Sequence, residues 1–268
     1  MCWPLQWVQR WFTVPEASPS TRGRLSGFVL LAALLMLWQL SALYWVSSSN
    51  WPTVTDILRS MIDGFRSGEL PEVFLSSLYR MLSGYLVGTA AAVALGLWMA
   101  SSRWVRAALE PLIEFLRPIP IPAIVPPLIL ILGVDDAMKI FVVAFSAFFP
   151  VLVNTVAGVR AVDAVHKDVA RTFRLGRLRT VVQVVLPGSL PYILAGMRVS
   201  LALALIVTVV AEMIAGSAGV GYYIMTMQYA MRAGDMYAAI FLLAGVGYLL
   251  NRLILAVEQR ALHWFHHG

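Results

Sequence analysis

Residues 160–191 decide the fold, and they read RAVDAVHKDVARTFRLGRLRTVVQVVLPGSLP. Lysines and arginines crowd this stretch, which lies between two long apolar segments. A loop this basic resists transfer across a bilayer, so it predicts the cytosolic side of a membrane protein. Val165, Val169 and Phe173 recur at four-residue spacing, which predicts a short helix with an apolar stripe. Such a helix either anchors the loop on anionic headgroups or docks a cytosolic partner.

The composition of the chain indicates an integral membrane protein. Of 268 residues, 60% are hydrophobic and only 13% are charged, a balance far from that of a soluble domain. The net charge of +6 does not indicate nucleic-acid binding, because the basic residues gather between apolar runs. Cys2 is the one cysteine, and no histidine lies in an apolar segment. We therefore expect no nucleic-acid partner, no cofactor and no metal site.

The apolar runs predict an all-α fold, a polytopic membrane protein with six transmembrane helices and both termini in the cytosol. The expected order is a cytosolic tail (1–26), a first span (27–46), an outer amphipathic segment (47–74), a core of five spans (75–258) and a cytosolic tail (259–268). Tryptophans at every fourth position of the first tail favour a small interfacial helix or, equally, an unstructured segment. Gly84, Gly88 and Gly96 lie on or near one face of the second span, which predicts a close approach of another helix.

Three residues within the apolar runs are candidates for lining a polar pathway. Pro126 belongs to RPIPIPAIVPP (117–127), whose prolines remove backbone donors, so we expect no regular helix there. Irregular backbone at membrane depth needs protein or water beside it, which places this segment inside the bundle. Asn154 lies in the fourth span and Glu212 in the fifth. A carboxylate at the bilayer centre costs roughly 2.5–3.5 kcal/mol or more, so Glu212 either has a structural role near the outer interface or faces an aqueous pathway.

Residues 168–187 resemble the EAA loop of ABC-importer permeases. That pattern is Glu-Ala-Ala, a Gly three residues on, nine further residues and Ile-x-Leu-Pro. Asp168 takes the place of the Glu and Ala170 that of the second Ala. The closing places are taken by Val184, Leu186 and Pro187.

The chain departs from that pattern at two positions. Val169 replaces the first Ala, and Arg174 replaces the Gly, with Gly176 two residues late. We therefore expect the tight turn that the Gly usually sets to be shifted or lost.

The resemblance extends from about residue 75 to residue 257 and is closest to the nitrate, sulfonate and taurine branch. It is carried by RPIPIPAIVPP (117–127), VVLPGSLPYILAGMR (184–198) and VVAEMIAGSAGVGYYI (209–224). It implies the type I permease fold in the bacterial plasma (inner) membrane, a second permease copy, two cytosolic ATP-binding subunits and an external or periplasmic solute-binding protein. The residues that it implies for coupling to the ATPase are Asp168, Val169, Ala170, Phe173, Arg174, Gly176, Leu186 and Pro187. Among them we expect Val169 and Phe173 to be the buried contacts, and Asp168 to cap the helix or meet a basic group of the partner.

Sequence motifs separate the possible functions. The chain contains no G-x-x-x-x-G-K-[ST], so it cannot cradle ATP phosphates itself and is not expected to be an enzyme. The glycines of GSAGVG (216–221) follow no strand, which favours a turn over a phosphate site. The resemblance implies an ATP-driven importer of a small anion such as a sulfonate, taurine or nitrate. The alternative is a secondary transporter driven by an ion gradient, which would usually need several charged sites near the midplane.

Overall fold

The structure is a computed structural model that describes residues 21–46, 48 and 50–263. Every secondary-structure element within these residues is helical, as predicted. The helices are α1 (Thr21–Tyr44), α2 (Val54–Arg66), α3 (Glu69–Ser101), α4 (Arg103–Leu116), α5 (Ile121–Leu132), α6 (Asp136–Ala161), α7 (Ala164–Thr172), α8 (Arg177–Thr180), α9 (Leu186–Ala215), α10 (Val220–Tyr229) and α11 (Ala233–Ala261), with a π-helical turn at Val181–Val185. The predicted interfacial helix of the N-terminal tail and the last residues of the C-terminal tail lie outside the described residues.

The chain divides into two units, Met1–Asp56 and Ile57–Gly268. In the first unit, the C-terminal half of α1 is held against the residues that follow it. The indole N–H of Trp38 donates to the carbonyl of Pro52 at 3.1 Å, and its ring stacks on Trp51 with centroids 4.8 Å apart. These contacts fix the chain where it turns away from α1.

The described residues contain four helices that are long and apolar enough to cross a membrane: α3, α6, the continuous helical stretch 178–215 and α11. Helices α4 and α5 qualify only as a pair, and they are bent by 99° at the break between them. The apolar part of α1, Val29–Tyr44, is shorter. The molecule is therefore a multi-pass membrane protein, as its composition predicts.

The proline-rich segment is more regular than its sequence predicts. Helix α5 contains Pro126 and Pro127, so the expectation of no regular helix there was wrong. Pro122 lies in the first turn, where a backbone N–H has no intrahelical partner in any case. The irregular backbone is confined to residues 117–120, between α4 and α5.

Helices α3, α6 and α9 form the centre of the second unit. The contact of α3 with α6 depends on small residues, because a Cβ on Gly88 would lie 2.3 Å from the carbonyl oxygen of Ala144. Gly84 and Gly96 also face α6, and a Cβ on either glycine would lie only 2.7 Å from the nearest atom of that helix. The predicted close approach at these three glycines is confirmed.

Candidate functional site

The basic loop, residues 160–191, folds into the short helix that its spacing predicts. Helix α7 begins where the carboxylate of Asp163 accepts the backbone N–H of Val165 at 2.9 Å. Asp168 lies in the middle of α7, and its carbonyl accepts the hydroxyl of Thr172. The capping role predicted for Asp168 was therefore wrong, because the helix begins one turn earlier and Asp163 makes the capping contact.

Helix α7 ends on a residue in the left-handed conformation. Arg174 has a φ of 49°, and the N–H of Leu175 donates to the carbonyl of Ala170 at 3.0 Å. This is the hydrogen bond of a Schellman C-cap, in which the left-handed position is usually glycine. The turn therefore remains where the EAA pattern has its Gly, and the expectation that it would be shifted or lost was wrong. Gly176 has no positive φ and takes no part in it.

The apolar stripe of α7 is uncovered. Val165, Val169 and Phe173 are exposed, and Phe173 shows 75% of its surface. Ala170, in contrast, is buried against the chain itself, so its side chain is not available to a partner. A short helix that packs on its own chain along one side and exposes an apolar stripe along another is typical of a helix that docks into a groove.

Leu186 and Pro187 connect this loop to the core. They open α9 directly after the π-helical turn, where the N–H of Leu186 bonds to the carbonyl of Val181. Both residues are half-buried. Residues 178–215 form one continuous helical stretch, so the basic loop is joined directly to the whole length of α9.

Glu212 lies at the other end of α9, fully buried with 0% exposure. Its carboxylate accepts hydrogen bonds from Ser77 Oγ and Arg80 Nη1, each at 2.8 Å. The backbone N–H of Gly221 adds a third at 3.0 Å. Ser77 also accepts the N–H of Val220, so the carboxylate holds the start of α10 both directly and through the hydroxyl.

Arg80 extends this network to a third helix. Its Nε donates to Asp136 of α6 at 2.6 Å, and its Nη1 also donates to the carbonyl of Ala218 at 3.0 Å. Lys139 is buried and lies within electrostatic range of Arg80. We call Ser77, Arg80, Asp136, Lys139 and Glu212 the charged cluster. It ties α3, α6 and α9 together at one level.

Residues 216–219 form a turn, as the sequence favours, and residues 220 and 221 begin α10. Gly219 has a φ of 104°, and a Cβ there would lie 2.3 Å from Glu212 Oε1. The glycine is required because the buried carboxylate occupies that space. Of the two roles predicted for Glu212, this geometry supports the structural one.

The three pathway candidates do not form one site. Pro126 is exposed on α5. Asn154 is half-buried, and its side-chain amide donates to the carbonyl of Pro150 within α6 at 2.8 Å. About 27 Å of helix separate Asn154 from Asp136, so Asn154 and the charged cluster lie toward opposite ends of α6.

The sequence reasoning missed the partners of Glu212. Arg80 is 132 positions away along the chain, and Ser77 carries no charge that draws attention to it. A signal was nevertheless present, because Arg80 and Glu212 are opposite charges within apolar runs, and each requires a partner at the same depth.

Comparison with known proteins agrees with this architecture. Residues 92–263 match the model of the family described as binding-protein-dependent transport system inner membrane component. The SsuC permease protein of Bacillus subtilis (strain 168), named for aliphatic sulfonates transport, is 35% identical over 243 residues, which cover 90% of this chain and 88% of that protein. The nitrate import permease protein NrtB of Synechocystis sp. is 28% identical over 240 residues, with 86% of each chain covered.

The fold has a counterpart among solved structures. The MetNI methionine ABC transporter, in an inward-facing conformation, superposes with a TM-score of 0.60 at 15% identity, over 69% of this chain and 92% of that chain. At this identity the similarity concerns the fold alone. None of these relatives supports the alternative of a carrier driven by an ion gradient.

The family model matches the greater part of the chain, and the relatives belong to the nitrate and sulfonate branch of that family. This chain belongs to the family of binding-protein-dependent transport system inner membrane components, the permease subunits of ABC importers.

Proposed function

We propose that this chain is one of a pair of identical permease subunits that import a small anion across the bacterial plasma (inner) membrane. Two cytosolic ATP-binding subunits drive the import, and an external or periplasmic solute-binding protein delivers the anion. The observation that carries the proposal is the uncovered apolar stripe of α7 within the basic loop. A permease without its own nucleotide site needs such a surface to receive mechanical work.

The proposed topology has six spans with both termini in the cytosol. The spans would be α1, α3, α6, the stretch 178–215, α11 and, between α3 and α6, the segment 118–134 with α5 at its centre. The proposed segments are those predicted from the sequence, a first span over 27–46, an outer amphipathic segment over 47–74, a five-span core over 75–258 and tails over 1–26 and 259–268, except that α3 already begins at Glu69. This arrangement places the basic loop in the cytosol and the charged cluster at the outer side.

The coupling surface consists of the stripe on α7 and the turn that ends it. Val169 and Phe173 enter an apolar groove on the ATPase, and Asp168 meets a basic group there. Arg174 sets the turn, Gly176 leads from it into α8, Ala170 supports α7 from within, and Leu186 and Pro187 pass the displacement of α7 to α9. The movement then reaches the charged cluster, because α9 ends there.

The substrate class follows from the relatives. Their names mention aliphatic sulfonates and nitrate, which are small anions. The choice among such anions resides largely in the separate binding protein, so purified binding protein screened against sulfonates, taurine and nitrate identifies the cargo.

The direct test is Phe173→Asp in the complete importer reconstituted into vesicles. Placing a charge in an apolar docking groove costs at least about 2 kcal/mol, so ATP-dependent uptake should fall by about 30-fold or more. The permease should stay folded, because the side chain is exposed in the free chain. ATP hydrolysis should lose its dependence on the loaded binding protein.

Two control variants complete this test. Phe173→Leu keeps an apolar contact and should retain most of the uptake. Ala164→Asp places the same charge on an exposed position of α7 that lies outside the stripe, and uptake should remain near normal. Normal uptake and retained ATPase association in Phe173→Asp would refute the proposed docking.

A further inference from the structure

Helix α4 presents three faces. One face is half-buried and packs on the core between α3 and α6, through Val105, Leu109 and Ile113. A second face is a charged ridge that carries Arg103, Glu110 and Glu114, all exposed. The third is the apolar face, formed by Trp104, Ala108, Leu112 and Phe115, all exposed. These residues recur at three- and four-residue spacing, so each set follows one side of the helix.

The apolar face of α4 is largely uncovered. Trp104 shows 88% of its surface and Phe115 shows 72%. Large side chains with this exposure, aligned along one side of a helix, form a patch that needs an apolar neighbour. Neither the core of the second unit nor the charged ridge supplies that neighbour.

The level of α4 in the bilayer follows from α3. Arg80 and Ser101 are both in α3, about 32 Å apart at 1.5 Å per residue. This length matches the roughly 30 Å of a bilayer's hydrocarbon core. Because the charged cluster around Arg80 joins polar groups of three helices, it lies at one boundary of that core, and Ser101 then lies at the other. Helix α4 begins two residues later, at this second boundary.

The direction of α4 follows from α5. Helix α5 packs against the spans α6 and α9, and α4 is bent by 99° from it. A helix at nearly a right angle to a segment that packs along the spans runs parallel to the membrane surface. The 14 residues of α4 cover about 21 Å of that surface.

The charged ridge of α4 faces the same water as the basic loop. Glu110 lies 3.7 Å from Arg160, the first residue of that loop, and both side chains are about half exposed. The apolar face is on another side of the helix from Glu110. One side of the helix therefore faces water, and another side presents an apolar surface that needs an apolar environment.

We propose that α4 is an interfacial helix in the cytosolic leaflet, with Leu112 and Phe115 among the lipid acyl chains and the charged ridge at the level of the headgroups. Amphipathic helices of this kind lie in the plane of the membrane, and Trp104 has the ring that favours the interface. The inference rests on the proposed cytosolic side of the basic loop.

This placement gives α4 a role beside the coupling loop. A cavity of about 1260 Å³ separates the start of α4, at Arg103 and Trp104, from Leu175 and Thr180. The lipid-bound helix holds one wall of this cavity at a fixed depth. The opposite wall belongs to the loop that the ATPase moves, so the displacement is made against a wall that the membrane holds in place.

Spin labels test the depth of α4. Single cysteines at Leu112 and Phe115, with matched controls at Glu110 and Glu114, are made in a Cys2→Ser background of the complete importer. The importer is reconstituted into vesicles of phosphatidylcholine and phosphatidylglycerol, and collision rates with oxygen and with a neutral nickel chelate are measured. Labels at 112 and 115 should collide at least about tenfold more with oxygen, relative to the chelate, than labels at 110 and 114.

Two results would overturn the proposal. Equal access of the nickel chelate to both pairs would place the apolar face in water. Immobile labels at 112 and 115 that neither reagent reaches would mean that a protein, such as a second copy of this chain, covers this face.

The sidedness of the same labels separates this inference from the proposed function. A membrane-impermeant chromium complex should relax the label at 114 only from the cytosolic side. If oxygen reaches the labels at 112 and 115 as predicted but the chromium complex relaxes the label at 114 from the exterior, the interfacial helix is supported and the proposed topology is refuted. Cytosolic relaxation without the oxygen pattern would refute the interfacial helix alone.

Discussion

Arg174 closes α7 in a backbone conformation that residues with a Cβ avoid. The left-handed region costs a residue other than glycine about 1–2 kcal/mol, and here the C-cap hydrogen bond from Leu175 offsets part of that cost. The hydrogen bond of a Schellman motif thus forms here although arginine takes the place that glycine usually has. The end of α7 is consequently a strained point in the basic loop.

Arg174→Gly should stabilise this end of α7. The substitution removes the backbone strain, but glycine has more conformational freedom in the unfolded chain. The net gain in the stability of this helix end is about 1 kcal/mol, so the amide of Leu175 should exchange hydrogen about fivefold more slowly. Arg174→Ala removes the same charge but keeps a Cβ, and exchange should not slow. Equal protection in the two variants would show that the charge of Arg174, and not its φ, governs the turn.

Glu212 should be the most sensitive residue of the charged cluster. Glu212→Ala removes the buried one of the two carboxylates that pair with the guanidinium of Arg80, which should lower the free energy of unfolding by about 3–5 kcal/mol. Denaturant titration in detergent micelles measures this loss. Asp136→Asn, at a half-exposed carboxylate, should cost less than about 1 kcal/mol.

A second substitution separates pairing from packing at this site. Arg80→Met combined with Glu212→Ala removes the stranded charge and should recover part of the loss. A double variant as unstable as the sum of the single variants would contradict the pairing.

At single residues, the sequence predicted chemistry better than geometry. The stripe of Val165, Val169 and Phe173 could be read directly, because helical spacing alone brings those positions together. The pairing of Arg80 with Glu212 could not, because it joins helices that only the fold brings into contact. The left-handed φ of Arg174 could not be predicted either, since nothing in its residue type indicates a left-handed turn.

At the scale of elements, the packing of α3 on α6 sets the geometry of the core. Gly88→Ala should lower the free energy of unfolding by about 1–3 kcal/mol, because the obstructing atom is a backbone carbonyl that cannot rotate away. Gly245→Ala in α11 is the matched control, since its Cβ would meet open space and alanine favours a helix by up to about 1 kcal/mol. Denaturant titration compares the two variants, and equal effects would contradict the tight contact.

Helix positions could be predicted from the apolar runs, but helix ends and bends could not. The core of five spans was expected to begin at residue 75, whereas α3 begins at Glu69, because its first turns pack on α10 outside any apolar run. The segment 117–127 was expected to be irregular, but its prolines end one helix and start the next, and the bend of 99° between them has no signature in the periodicity.

At the scale of the molecule, α9 carries two ion pairs about 21 Å apart, one near its middle and one near its C-terminal end. Glu212 pairs with Arg80 of α3, and Arg198 pairs with Glu258 of α11. Between the basic loop and the charged cluster there is thus one helix, held at two levels by separate neighbours. For the proposed function this arrangement suits a lever, because no break in the helix separates the loop from the charged cluster.

The central claim is that the stripe of α7 faces the cytosol and is covered by the ATPase. Phe173→Cys, in a Cys2→Ser background, measures both properties through its reaction with a membrane-impermeant maleimide in vesicles of known orientation. We predict labelling in inside-out vesicles that lack the ATP-binding subunits, and a decrease of at least about tenfold in labelling rate once those subunits are bound. Labelling from the exterior, or a rate that the ATPase leaves unchanged, would contradict the account.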